Sequence, residues 1–165
     1  VVEAGIGSGA LTIPLLDAVG EKGQVISYEI REDFAAQAIK NIKRYFNCSE
    51  VDRLHVQPHD IYEGILEEQV DRIVLDLPEP YRVVPLAAQK LRTGGIFLSF
   101  VPTVPQAVKV VEALQLERGF SFIETFETLL RPWNIEGRSV RPHLRMVGHS
   151  GFITTARRVK RLAPS

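Results

Sequence analysis

Glu3-Ala4-Gly5-Ile6-Gly7-Ser8-Gly9 lies between the apolar pair Val1-Val2 and an amphipathic stretch at residues 10–19. A glycine loop between a strand and a helix is where nucleotide-type ligands meet the backbone of an open α/β sheet. Glycine is needed where the chain turns sharply and where a ligand approaches without a Cβ in the way. The following helix adds unpaired N–H groups and a positive dipole end. The stretch therefore predicts an α/β domain with a ligand at this loop.

The rest of the chain alternates short apolar runs with longer amphipathic ones. Continuous runs such as Ile73-Val74-Leu75 suit a parallel sheet covered on both faces by helices. After Gly119 two further strands, joined by a long loop at 131–150, predict a closing antiparallel pair. The expected fold is a doubly wound, mostly parallel seven-stranded α/β sheet with a terminal antiparallel strand pair. The predicted strands are 1–4, 24–29, 54–58, 72–77, 95–101, 120–130 and 151–158, and the predicted helices are 10–19, 33–46, 61–66, 83–92 and 104–118.

Composition narrows the class of protein. The chain has 165 residues, 45% of them hydrophobic, and 20 Lys+Arg balance 20 Asp+Glu, which is typical of one soluble globular domain. No apolar run approaches the roughly 18 residues of a membrane span, and no leader is evident, so we expect a cytoplasmic protein without membrane contact. The single cysteine, Cys48, allows neither an internal disulfide nor a thiolate metal site. Because Val1 already opens a buried-type strand, we expect the whole protein to begin upstream.

A carboxylate stands twenty residues past Gly9, where Glu29 ends the second predicted strand. There it can accept two hydrogen bonds from the vicinal hydroxyls of a ribose, which predicts an adenosine-containing cofactor. Gly5 to Ala10 also satisfies the looser dinucleotide pattern, so the glycines alone leave NAD open. Glu3 would repel a pyrophosphate but suits an ammonium group. The terminal strand pair also replaces the second half of a dinucleotide fold, and both features favour S-adenosylmethionine.

His59-Asp60 ends the third predicted strand at the same carboxyl edge. Asp60 can accept a hydrogen bond from the amino group of the cofactor's adenine. Its alternative role is the N-cap of the helix predicted at 61–66, and one residue can do both. The four histidines show no ligand spacing, and no metal is expected.

Asp76-Leu77-Pro78-Glu79-Pro80-Tyr81 follows the fourth predicted strand, opposite the glycine loop. Two prolines one residue apart restrict the backbone, so that polar groups are held in place. Asp76 is the candidate for accepting an exocyclic N–H of a nucleobase, which raises electron density on the ring nitrogen that attacks a methyl group. The alternative is that Asp76 caps a turn and the prolines only interrupt the chain.

Positive charge is concentrated near the carboxyl end. Residues 131–161 hold eight basic residues and one acidic residue, a net charge of +7, so the rest of the chain carries −7. Clustered Arg and Lys predict a polyanionic partner, although a solvated face is the alternative. Trp133 either packs against the last strands or stacks on a base.

These residues resemble the tRNA adenine-N1 methyltransferases that modify position 58 in the T-loop, within the Rossmann-like S-adenosylmethionine-dependent methyltransferases. The resemblance covers nearly the whole chain. Its first two blocks are shared by many methyltransferases, whereas the proline loop and the tail are more selective. The matching stretches are 3–12, Tyr28-Glu29-Ile30-Arg31, the loop 76–81, and the tail from Arg131-Pro132-Trp133 through Arg141-Pro142 to Met146-Val147-Gly148-His149-Ser150-Gly151-Phe152.

The resemblance implies that residues 1–165 form the catalytic domain and that an amino-terminal β-rich domain that helps to grip tRNA precedes them. It implies that the protein assembles as a homotetramer. Tyr81 stands where relatives often have tryptophan, a departure at a position of expected stacking. The implied cofactor-binding residues are Glu3, Gly5, Gly7, Ser8, Gly9, Ala10, Leu11, Glu29, Asp60 and Asp76. Asp76 is the implied catalytic residue, and the implied RNA-binding residues are Tyr81, Arg131, Trp133, Arg138, Arg141 and Arg145.

The implied reaction is a direct displacement in which adenine N1 attacks the sulfonium methyl, with catalysis mainly from positioning, which can contribute about 7–11 kcal/mol. The target base must first be exposed or flipped, and the arginines of the tail can supply phosphate contacts. Three alternatives stay open: a methyltransferase of the same fold acting on a small molecule or protein, a non-catalytic RNA-binding subunit, and an NAD-dependent enzyme.

Overall fold

Strands and helices alternate over most of the chain. The computed structural model describes residues 1–46 and 51–160; Cys48 and Arg161 lie outside the described residues. The strands are β1 (Val2–Ala4), β2 (Val25–Tyr28), β3 (Leu54–Gln57), β4 (Val70–Asp76), β5 (Leu91–Val101), β6 (Phe120–Phe126), β7 (Trp133–Glu136), β8 (Ser139–Pro142) and β9 (Phe152–Arg158). The helices are α1 (Thr12–Ala18), α2 (Glu32–Tyr45), the 3₁₀ helix Pro80–Val83, α3 (Val84–Lys90) and α4 (Val104–Leu116).

Seven strands form one sheet in the order β3-β2-β1-β4-β5-β9-β6. The first five run parallel, and β9 lies antiparallel between β5 and β6. This confirms the predicted fold class, including the terminal antiparallel pair. The last strand in the chain is therefore not the last strand in the sheet.

The direction of winding reverses at β1, because β2 lies on one side of it and β4 on the other. Loops on the two sides of such a reversal diverge and leave a crevice at the carboxyl edge, where ligands of open α/β sheets bind. The glycine loop leaves β1 at this point. Glu29, Asp60 and Asp76 follow or end β2, β3 and β4 at the same edge. The topology therefore brings the predicted cofactor residues to one rim.

Two apolar clusters support this rim. In one, α1 and α2 pack through residues such as Leu16 and Ile42 around Val25 of β2. In the other, Leu114 of α4 packs with the centre of the sheet around Phe97, which is fully buried. Interiors of this kind pack as densely as organic crystals, so they hold the strand ends in fixed positions.

The helix predicted at 61–66 is wrong, because these residues form turns and irregular backbone. Ile61 and Ile65 are buried at helical spacing, which explains the prediction. The Tyr28 hydroxyl, however, accepts the N–H of Leu66 at 2.7 Å and donates to Glu67 at 2.6 Å. A helix would give the Leu66 N–H to a backbone carbonyl, so this side chain replaces the helical bond.

The tail also differs from the prediction. Strand β6 ends at Phe126 rather than at residue 130, and the long loop contains the β7–β8 hairpin. Its turn holds Gly137 at a φ of +54°, the conformation that tight hairpin turns require. Nearly every side chain from 127 to 150 is exposed, so the segment adds little to the core.

No helix among the described residues combines the length and the apolar character needed to cross a lipid bilayer.

Candidate active site

The glycine loop is shaped by its neighbours. Gly5 has a φ of +89°, and a Cβ on it would clash with the carbonyl oxygen of Asp76 at the end of β4. A Cβ on Gly9, at +82°, would meet Ile42 Cγ1 at 2.9 Å. A Cβ on Gly7 would meet only the Gly5 carbonyl, 3.9 Å away. Gly5 and Gly9 therefore let the loop pack against β4 and α2, whereas Gly7 leaves open space in which a ligand can approach the backbone.

The residues that close the loop are held from α2. Asn41 Nδ2 donates to the backbone oxygen of Ser8 at 3.0 Å. Ser8 and Ala10 are exposed and Leu11 is half-buried, just before the first turn of α1. Nothing in the sequence indicates Asn41 as part of the site, because one polar residue on an amphipathic helix carries no signal of its contact with a distant loop.

Glu3 lies inside the protein rather than at the surface of the loop. It is fully buried, and the Thr12 hydroxyl approaches its two carboxylate oxygens at 3.1 and 2.9 Å. Burial raises the pKa of Glu3 from 4.5 to about 7, partly offset by hydrogen bonding from Thr12. Glu3 thus ties β1 to the start of α1 behind the loop, and its predicted contact with a cofactor stays a prediction.

Replacing Glu3 by glutamine is expected to make the protein more stable above neutral pH. A carboxyl whose pKa is higher in the folded than in the unfolded state stabilises fully below its unfolded pKa, and that contribution is lost as pH rises through the folded pKa. With values of 4.5 and about 7, wild type should lose about 3 kcal/mol relative to Glu3→Gln between pH 4 and pH 8. Urea unfolding of both proteins across this range measures the difference; a pH-independent difference would contradict the buried carboxylate.

Glu29 follows β2 and is half-buried. Its Oε1 accepts the backbone N–H of Arg31 at 2.9 Å. The Arg31 side chain turns to Asp33, with which it forms a salt bridge at 2.9 Å. Arg31 therefore fixes the carboxylate of Glu29 through its backbone N–H, and Oε2 of Glu29 has no hydrogen-bond donor in the part of the chain that the structure describes.

Asp60 caps a turn, not a helix. Its Oδ1 accepts the N–H of Tyr62 at 2.9 Å, and its carbonyl accepts the N–H of Glu63 at 3.0 Å. Next to it, His59 makes an edge contact with Tyr28, whose ring centroid is 6.1 Å away. Oδ2 of Asp60, at the carboxyl edge, accepts no hydrogen bond from residues 1–46 or 51–160.

Asp76 is the last residue of β4, and its carboxylate is partly exposed. Burial raises the pKa of this carboxyl. Among the described residues, no side chain donates a hydrogen bond to it. A carboxylate without a donor, with a raised pKa and beside a glycine loop, is typical of functional sites.

The loop after Asp76 is held at several points. Gln106 Nε2 donates to the carbonyl of Pro78 at 2.9 Å, and the N–H of Glu79 donates to the Tyr62 hydroxyl at 3.2 Å. Tyr81 donates its hydroxyl proton to Glu79 at 2.6 Å. Contacts with α4 and with the turn after Asp60 thus hold the loop. They add to the restriction that its two prolines place on the backbone.

The predicted RNA-binding arginines lie on the exposed tail. Arg131 lies 6.0 Å from the ring centroid of Trp133. The other predicted arginines are Arg138, Arg141 and Arg145. Within the described residues, none of the four arginines makes a hydrogen bond or salt bridge to the rim. His149, at the end of the tail, contacts the carbonyl of Pro102 just past β5, 2.6 Å away.

In the part of the chain that the structure describes, no group of three or more His, Cys, Asp or Glu residues is arranged to hold a metal ion.

We compared the chain with known protein families. The family model described as "tRNA methyltransferase complex GCD14 subunit" matches residues 1–146. The chain belongs to the GCD14 family. Within it, the chain is 40% identical over 180 aligned residues to the tRNA (adenine(57)-N(1)/adenine(58)-N(1))-methyltransferase TrmI of Methanocaldococcus jannaschii, covering 95% of this chain and 64% of that protein. It is 36% identical to the tRNA (adenine(58)-N(1))-methyltransferase TrmI of Thermus thermophilus, covering 97% and 62%.

Solved structures place this GCD14-family chain among methyltransferase folds. A SAM-dependent O-methyltransferase from Thermotoga maritima superposes with a TM-score of 0.90 at 35% identity, covering 99% of this chain and 60% of that one. The tRNA (m1A58) methyltransferase TrmI from Aquifex aeolicus gives 0.83 at 25% identity, covering 96% and 62%. The chain therefore spans less than two thirds of the length of these relatives.

Proposed function

We propose that the protein carrying this chain transfers a methyl group from S-adenosylmethionine to N1 of adenine 58 in the tRNA T-loop. The observation that carries the proposal is the carboxylate of Asp76. The backbone carbonyl of Asp76 packs against Gly5 of the glycine loop at the reversal of the sheet, and the carboxylate has no hydrogen-bond donor among the described residues. The names of the two TrmI relatives support this choice of substrate.

The rim suits S-adenosylmethionine. Gly7 leaves room against the backbone, and Glu29 and Asp60 each keep a carboxylate oxygen without a partner among the described residues. Glu29 would accept the ribose hydroxyls, Asp60 the amino group of the adenine, and the Ser8 to Leu11 turn would hold the rest. NAD fits less well, because the antiparallel strands β6 and β9 stand where a dinucleotide fold has its second mononucleotide half.

When bound, this cofactor would supply a methyl group on a sulfonium sulfur; the N–C bond would form as the C–S bond breaks, with S-adenosylhomocysteine as the leaving group. Asp76 accepts a hydrogen bond from the exocyclic N6–H of the target adenine, which orients N1 and raises its electron density. The Gln106 and Tyr62 contacts hold the backbone of the loop at Pro78 and Glu79, just past Asp76. Catalysis rests on this positioning, which can contribute about 7–11 kcal/mol.

The test uses an unmodified tRNA transcript and a matched transcript with guanine at position 58, both incubated with labelled S-adenosylmethionine. We expect label only in the first, and a reverse-transcription stop at position 58, because N1-methyladenine cannot form a Watson–Crick pair. Calorimetric binding of S-adenosylhomocysteine to the same protein separates a substrate error from a cofactor error. Cofactor binding without any methylated adenine would overturn the substrate, and no cofactor binding would overturn the proposal.

A second candidate is O-methylation, which the description of the Thermotoga maritima relative as a SAM-dependent O-methyltransferase favours. Asp76 would then accept a hydroxyl proton. Label that enters a phenol or catechol but never tRNA would select this reaction.

We further propose a cytoplasmic protein that binds tRNA and assembles as a homotetramer. The exposed apolar side chains of the tail support a contact between copies. They are Leu129, Leu130, Trp133, Ile135, Val140, Leu144, Met146 and Val147.

A further inference from the structure

Two cations flank the proline loop outside the residues assigned so far. The guanidinium of Arg82 lies over the Tyr62 ring, with its Cζ 4.2 Å from the centroid. The ammonium of Lys109 lies over the Tyr81 ring, 5.3 Å from the centroid. Cations are attracted to the faces of aromatic rings in this way. Both side chains are exposed, so an anion can reach them from solvent.

Both cations are arranged around one carboxylate. Glu79 forms a salt bridge with Arg82 at 3.1 Å and accepts the hydroxyl of Tyr81. Hydrogen bonds from Tyr81 and then Arg82 hold the pKa of Glu79 below its usual value, with a smaller contribution from the charge of Lys109. Among the described residues, no carboxylate lies within salt-bridge distance of Lys109, so the group carries one uncompensated positive charge.

The group formed by Glu79, Arg82 and Lys109 lies near the carboxyl edge of the sheet. Lys109 is on α4, which follows β5 at the carboxyl edge, and its partner Tyr81 ends the loop that starts at Asp76. The rim itself is acidic, with Glu29, Asp60 and Asp76 at the ends of adjacent strands. A polyanion that brings a base to Asp76 is repelled by these carboxylates, and a cation fixed beside them offsets the repulsion.

We propose that Lys109, with Arg82 beside it, binds a phosphate of the RNA backbone next to the target nucleotide. This inference rests on the proposed function and extends it, because it adds a backbone contact at the catalytic rim to those predicted for the tail. The contact positions the strand and reads no sequence, as phosphate contacts do.

The test compares Lys109→Gln with Lys43→Gln in the whole protein that carries this chain. Lys43 is likewise an exposed lysine, in the last turn of α2. Helix α2 connects β2 and β3 at one end of the sheet, whereas α4 connects β5 and β6 at the other end. Binding of a tRNA transcript is measured with S-adenosylhomocysteine present, from 50 to 300 mM salt. Each lost phosphate contact lowers the slope of log affinity against log salt by about 0.7–0.9.

For Lys109→Gln we expect that drop in slope, a five- to tenfold rise in Kd and KM for tRNA, and unchanged S-adenosylhomocysteine binding. Lys109→Arg should restore the slope, because it keeps the charge, whereas a merely structural role for Lys109 would leave the slope unchanged in every variant. A slope and Kd for Lys109→Gln equal to those of Lys43→Gln would overturn the inference.

The two proposals fail in different ways. Methyl transfer to adenine 58 with a slope that does not depend on Lys109 overturns only the phosphate contact. Lysine-dependent binding without methyl transfer overturns only the proposed function. Wild-type protein that fails to bind tRNA overturns both.

Discussion

Replacing Asp76 by alanine is expected to lower kcat for methyl transfer to tRNA by about 10²- to 10³-fold, comparable with the removal of one directed hydrogen-bonding group from other active sites. The carboxylate has no donor among the described residues, and the loop that carries it is fixed by Gln106 and Tyr62. Its oxygens can therefore accept the hydrogen bond that we propose from the target adenine. Because Asp76 is partly exposed, the fold should not depend on it.

Single-turnover transfer measures the loss, and Asp17→Ala, a change at an exposed aspartate of α1, is the matched control. Asp76→Asn separates charge from shape, since the amide keeps an acceptor oxygen but loses the negative charge. The pKa of Asp76 is raised by burial, so the wild-type rate should fall with acidification at a higher pH than for an ordinary aspartate. Asp76→Asn should lack this fall, and full activity in Asp76→Ala would exclude the assigned role.

Replacing Gly5 by alanine should affect both the fold and the site. The φ of +89° is strained for any residue with a Cβ, and that Cβ would clash with the carbonyl of Asp76. A left-handed conformation and a crowded neighbour together should lower the free energy of unfolding by about 2–5 kcal/mol. The end of β4 must also move, and a displacement of about 1 Å can lower the rate by 10²-fold.

Gly20→Ala is the matched control for strain alone. Gly20 also has a positive φ, of +68°, but a Cβ added to it would have no neighbouring atom within 4 Å. Urea unfolding should therefore show only about 1–2 kcal/mol of destabilisation for Gly20→Ala, with unchanged binding of S-adenosylhomocysteine. Equal losses in the two variants would mean that the contact between Gly5 and Asp76 has no energetic weight.

The features that could be predicted from the sequence are those set by local rules. Parallel strands with glycine and acidic residues at their ends fix both the sheet and its active edge, so Gly5, Glu29 and Asp76 could be brought together from the sequence alone. The hydrophobic period also separated most helices from strands. For most of these elements only the ends shifted, by a few residues.

The features that were missed depend on contacts between distant residues. The helix predicted at 61–66 fails because Tyr28, more than thirty residues earlier, takes the N–H of Leu66. The contact of Asn41 with Ser8 and that of Lys109 with Tyr81 likewise join distant segments. In each case the residue type allows many partners, and only the packed fold selects one.

The placement of β9 between β5 and β6 has a consequence for synthesis on the ribosome. Until residues 152–158 leave the exit tunnel, β5 has no partner on one side and β6 lacks its neighbour in the sheet. An unpaired strand edge is a template for wrong pairing with other chains. The nascent chain therefore carries an open sheet until β9 arrives, and chaperones that shield such edges should matter most in that interval.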